Sequence, residues 1–160
     1  MFPQANGNAG VAQTLDHMAR LINAAILDPV IRDQAAYAMS GCNRGAKDCQ
    51  CYSMLSWVTR AVRYVPDPTG IELLHDPRLM ARRIAAKKMV YGDCDDMSMY
   101  LAALLKSIGL APTIRAVGYN GLPFQHVYVM CEGLRLDATR SPWMVTYKNM
   151  TESSAMERKV

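Results

Sequence analysis

The chain of 160 residues has no apolar run approaching the ~18 residues of a membrane-spanning helix, although half of its residues are apolar. That absence predicts a soluble protein with no membrane partner. The opening Met1-Phe2-Pro3-Gln4-Ala5-Asn6-Gly7 lacks the basic residues and apolar core of a secretory leader, so the expected location is the cytoplasm of the producing cell. Also missing is the stripe of Lys and Arg with interleaved aromatics that marks a nucleic-acid binder. The net charge of +4 is spread among the predicted helices, and Arg82-Arg83 with Lys87-Lys88 reads as a solvated helix face, so no nucleic-acid partner is expected. No internal repeat or low-complexity segment occurs. Cysteine is odd in number, at five, so complete internal pairing is impossible, and a cytoplasmic setting disfavours disulfides.

What is present fits one domain over 1–145, large enough to bury roughly two-thirds of the surface its unfolded form exposes, with a polar, irregular tail over 146–160. Val11, Leu15, Met18, Ile22 and Ile26 recur at helical spacing; Asp28-Pro29 then caps and starts a second helix that ends before Gly41. A third helix is predicted over about 48–63, with Leu55, Val58 and Val62 as its apolar stripe. Pro66 and Pro68 break it. Asp76-Pro77 restarts a helix to about Lys88, and a fifth begins at Cys94, with Asp93 as N-cap and Gly109 just beyond its end. Its inward stripe is Cys94, Met97, Leu101, Leu104, Leu105 and Ile108. The twelve methionines fall on such faces as core fillers.

After Pro112 the period changes to two. Segments 113–117, 124–131 and 134–139, separated by Asn120-Gly121 and Glu132-Gly133, read as a three-stranded antiparallel meander. A two-residue turn at Glu132-Gly133 pairs Cys131 with Leu134, Met130 with Arg135, Tyr128 with Asp137 and His126 with Thr139. His126 and Asp137 then share a face as diagonal neighbours, within reach of one another.

A cysteine is a nucleophile only as thiolate, and a helix start favours that form through its free N–H groups and dipole. Cys94 has this placement, though Asp93, Asp95 and Asp96 oppose it unless they point away. Their helical offsets predict that Asp95 and Asp96 rotate off the Cys94 face. Cys94, His126 and Asp137 together supply the nucleophile, base and orienting carboxylate of acyl transfer. The Cys94 N–H is a candidate oxyanion donor, with Tyr64, Tyr91 or Trp57 as candidates for the second.

Gly92-Asp93-Cys94-Asp95-Asp96 opening a helix, then His126-Val127-Tyr128-Val129, then Leu136-Asp137-Ala138-Thr139, resembles the transglutaminase-like superfamily of papain-fold proteins. Trp57-Val58, Arg63-Tyr64-Val65, Asp67-Pro68 and Glu72 resemble its compact bacterial and bacteriophage members. The resemblance implies an α+β fold, with N-terminal helices and the nucleophile helix packed on a small antiparallel sheet. It also implies a Cys94, His126, Asp137 triad. The expected activity is that of a cysteine peptidase or amidase acting on a protein or peptidoglycan amide. An alternative is a bacteriophage virion protein, in the tail or in assembly, that packs against other virion subunits with little or no turnover. Cys42, Cys49 and Cys51 depart from the family pattern and allow a zinc or iron–sulfur centre with Cys131 or a residue of a partner protein as a fourth ligand. Cys94, Asp96, His126 and Asp137 could instead ligate a metal.

Overall fold

The computed structural model describes residues 7–68, 73–139 and 151–160. Helix α1 (Asn8–Ala25) is followed by α2 (Pro29–Ala38), where Asp28 caps the Val30 N–H and Pro29 occupies the first turn. Helix α3 (Lys47–Ala61) gives way directly to strand β1 (Val62–Tyr64), so the predicted helix to 63 overruns by a strand. Three residues are too few to declare a period of two.

Helix α4 (Pro77–Ala85) is capped by Asp76 and stops short of the expected Lys88. Lys87 adopts a left-handed φ of 54°, and the Lys87 and Lys88 N–H groups fold back onto the Ile84 and Arg83 carbonyls, which closes the last turn. Strand β2 (Val90–Gly92) follows and pairs in parallel with β1, Tyr64 opposite Gly92. The two strands present Tyr64 and Gly92 beside the start of α5 (Cys94–Ser107).

Helix α5 is the axis of the fold. It touches α1, α2, α3 and α4 together with β2, β3 and β4, and every residue from Asp95 to Leu105 is buried. An inward stripe is therefore an understatement: Met99, Ala102 and Ala103 are as enclosed as Met97 and Leu101. A helix apolar on all sides belongs inside the protein. Gly109, at φ 89°, ends it as expected, with the Leu110 N–H bonded to the Leu105 carbonyl.

The antiparallel sheet takes the order β5-β4-β3-β6. Strands β3 (Thr113–Tyr119) and β4 (Phe124–Cys131) are joined through Asn120 and Gly121, both at positive φ, and β5 (Leu134–Leu136) follows the turn at Glu132-Gly133. The meander forms as its turns predict. The expected irregular tail does not: Glu152–Lys159 is strand β6, antiparallel to β3 along its whole length. Its alternation of half-buried and exposed residues is the mark of an edge strand that lays one face on the protein. Residues 146–150 of the expected tail lie outside the described residues. Among the described residues the architecture is α+β, with four helices around a fifth, the short β1–β2 pair, and a small antiparallel sheet on one side.

Candidate active site

Asp93 sets the start of α5, accepting from the Asp95 N–H at 3.0 Å and the Asp96 N–H at 3.3 Å. The Cys94 N–H lies outside that cap. Gly92 is required just upstream, since a Cβ there would sit 2.7 Å from the Asp96 Cβ. Asp96 does turn away from Cys94, as its offset predicts. Its buried carboxylate accepts from the His75 N–H at 2.7 Å and meets His75 Nδ1 at 2.5 Å, tying the segment before α4 to the central helix. Burial pushes its carboxyl up, against the downward pull of His75.

Asp95 does not turn away. The Cys94 Sγ donates to its Oδ1 at 3.5 Å, and burial, then Asp95 and Asp93, push the thiol well above its ordinary value. A backbone hydrogen bond with Val127 acts in the opposite sense and is outweighed. Burial, with the acidic neighbours behind it, opposes the helix terminus, whose free N–H groups alone would favour the thiolate. The surroundings of Cys94 favour the protonated thiol.

His126 is fully enclosed on β4, and its Nε2 lies 2.8 Å from Asp137 Oδ2. A carboxylate only accepts, so the neutral ring carries its proton on Nε2 and has Nδ1 as its acceptor nitrogen. The pairing register delivers this contact. Cys131 faces Leu134, Met130 faces Arg135 and Val129 faces Leu136, all as the two-residue turn requires. The ladder stops at Leu136, before the expected Tyr128–Asp137 and His126–Thr139 pairs, because Asp137 Oδ1 instead accepts from the Thr139 N–H at 3.3 Å and its hydroxyl at 2.9 Å. Burial raises the Asp137 carboxyl, but the His126 and Thr139 bonds more than offset it and hold it below the usual range.

Cys94 and His126 line one cleft of about 800 Å³ between the start of α1 and the β3–β4 turn. Of the three expected oxyanion donors, Tyr64 lines this cleft. Trp57 spends its indole N–H on Tyr100 Oη at 3.1 Å, and Tyr91 lines a neighbouring groove. Gln125, next to His126, lines the Cys94 cleft as well; its position in a strand gave no sign of this.

The cysteine cluster takes another form. Cys42 and Cys49 are joined in a disulfide, contrary to the expectation of reduced thiols, so neither is a free thiolate for zinc or an iron–sulfur cluster. Cys51 and Cys131 are buried thiols that meet between α3 and β4, and burial, reinforced by Cys131, pushes Cys51 up to about 12. The alternative metal set also comes apart, because Asp96 is committed to His75. Among the described residues the grouping of three close metal donors is Asp93, Cys94 and Asp95.

No family model and no curated protein sequence matches the chain. Two solved structures are similar to it. A candidate protease from Parabacteroides distasonis ATCC 8503 superposes with a TM-score of 0.56 at 14% identity, over 81% of this chain and 27% of that one. A candidate cysteine protease from Cytophaga hutchinsonii gives 0.49 at 13% identity, over 81% of this chain and 45% of that one. At such identities the likeness carries the fold alone. The first, at a TM-score of 0.56, agrees with the α+β arrangement that the papain-like resemblance implies. The chain spans less than half the length of either structure. No helix among the described residues is long and apolar enough to cross a membrane.

Proposed function

We propose that the protein is a transglutaminase-like cysteine amidase or peptidase, with Cys94 as nucleophile, His126 as acid–base and Asp137 as orienter. The observation that carries this reading is the 2.8 Å contact of His126 Nε2 with Asp137, made by an imidazole that lines the same cleft as Cys94. Since the surroundings of Cys94 favour the protonated thiol, its proton passes to His126 Nδ1 as the sulfur attacks an amide carbonyl. The S–C bond forms, the C–N bond breaks, and the imidazolium gives its proton to the departing amine. Water then attacks the thioester, losing a proton to His126, and the carboxylic acid departs as the sulfur recovers its proton. The Cys94 N–H, outside the Asp93 cap, is the first oxyanion donor, and Tyr64 or Gln125 in the same cleft is the second.

The test is to incubate wild type, Cys94→Ala and His126→Ala with casein peptides and with peptidoglycan fragments, following amine release and the mass of any thioester on Cys94. Amide cleavage that both substitutions abolish supports the reading. Unreactive wild type over a range of pH, with no adduct on Cys94, overturns it.

A second reading is favoured by one observation, the Cys94 thiol turned onto Asp95 Oδ1 at 3.5 Å. It holds that the fold is retained in a structural subunit, such as a bacteriophage virion protein, with little turnover. Recovery of the chain as a stoichiometric part of a purified particle, with Cys94 inert in it, is the result that reading requires.

A further inference from the structure

We propose that Arg135 is a positioning residue of this site, held by Glu152 of the C-terminal strand and acting through Asp137. The inference rests on the triad reading above. Arg135 stands on β5 and Asp137 just beyond the end of that strand, and their side chains meet at 3.7 Å. Its guanidinium lies over the Tyr128 ring, 4.1 Å from the centroid, which leaves the N–H groups at its rim for oxygen partners. Those partners are Tyr119 Oη at 3.0 Å, Glu152 Oε1 at 3.3 Å and Asp137 Oδ2 at 3.7 Å.

The Asp137 oxygen that Arg135 approaches is the one bonded to His126 Nε2. With Oδ1 tied to Thr139 and Oδ2 placed between an imidazole and a guanidinium, the carboxylate has no free rotation about its terminal bond. Glu152 in turn is held from three sides, accepting from Tyr128 Oη at 2.7 Å and Arg115 Nη2 at 2.8 Å besides Arg135. Orientation therefore runs from β6 through Arg135 to Asp137 and the imidazole. The charged and titratable groups around His126 are Arg135 from β5 and Asp137 just after it, Tyr128 from β4, Glu152 from β6, Asp93 from the cap of α5, and Cys94 and Asp95 from α5 itself.

A half-exposed ion pair contributes little to global stability, which separates positioning from simple support of the fold. The experiment compares Arg135→Met, Arg135→Lys and Glu152→Gln in the full chain. Three readouts are taken: the melting temperature, the NMR signal of the His126 Nε2–H proton, and the rate of Cys94 alkylation by iodoacetamide against pH. Wild type should show a downfield, slowly exchanging Nε2–H signal. In Arg135→Met that signal should broaden or move upfield, and alkylation near neutral pH should fall about tenfold, a fraction of the 10²–10⁴ a positioned base contributes. Glu152→Gln should change both in the same direction by less, and Arg135→Lys should restore them in part. An unchanged Nε2–H signal in folded Arg135→Met, or an equal loss in Arg135→Lys, overturns the proposal. An inert wild-type thiol overturns the triad reading instead, and the Nε2–H signal still decides the role of Arg135. If Arg135→Met does not fold, a Glu152→Gln signal identical to wild type overturns the proposal.

Discussion

Asp95 Oδ1 lies 3.5 Å from Cys94 Sγ, so the carboxylate nearest the candidate nucleophile is its own chain neighbour. Two effects of one helix start are thus opposed. The free N–H groups favour the thiolate, while burial and two carboxylates disfavour it, and the second set prevails.

Removing the Asp95 charge should therefore arm the thiol. Asp95→Asn is expected to raise the alkylation rate of Cys94 near pH 8 by about threefold to tenfold, as loss of one adjacent charge in a partly enclosed site would do. Rates taken from intact-protein mass spectra give the comparison. A slower Asp95→Asn variant would show that the carboxylate assists the thiol rather than restraining it.

Asp137 links the site to stability at acid pH. Its carboxyl in the folded protein lies below the ordinary 3.8, so the stability it contributes is fully present above about pH 4 and is lost as pH falls through the lowered value. Urea unfolding at pH 5 and pH 3 should therefore show a smaller loss for Asp137→Asn than for wild type. Equal slopes would mean that the His126 and Thr139 bonds do not favour the ionised form.

Gly92 concerns packing rather than chemistry. Its missing Cβ is the space in which the Asp96 side chain lies, and Gly92→Ala would have to displace a carboxylate that is buried and bonded to His75. A loss of about 1–3 kcal/mol is expected, the usual cost of overfilling a packed site. Chemical denaturation measures it, and a neutral result would mean that α5 shifts to accommodate the methyl.

The Cys42–Cys49 disulfide closes a short loop, with a sequence separation of 7. Loop-closure entropy predicts that Cys42→Ser with Cys49→Ser costs about 2 kcal/mol. Because the bridge joins the α2–α3 connection and not the cleft, Cys94 alkylation should be unchanged. A large change in thiol reactivity would reveal coupling between the bridge and the site.

Much of the site was legible in the sequence because it depends on short-range rules. A two-residue turn at Glu132-Gly133 fixes the β4–β5 register and hence the face shared by His126 and Asp137. Asp93 ahead of an apolar segment ending at Gly109 marks both ends of α5. Arg135 and Glu152 were not legible: one is a polar residue in a short strand, and the other lay in a segment read as a tail.

By itself the sequence determined the helices, the meander, the α+β class and the chain order of Cys94, His126 and Asp137. These follow from periodicity, caps and turns, which act over a few residues. Only the tertiary structure decided that 152–159 joins the sheet, that Cys42 bonds Cys49, that Asp96 turns to His75, and that the Cys94 thiol is enclosed against Asp95. Each depends on groups distant in sequence or on how completely water is excluded, and ionisation responds to both. Residues 93–97 place the thiol; the packing around them sets its charge.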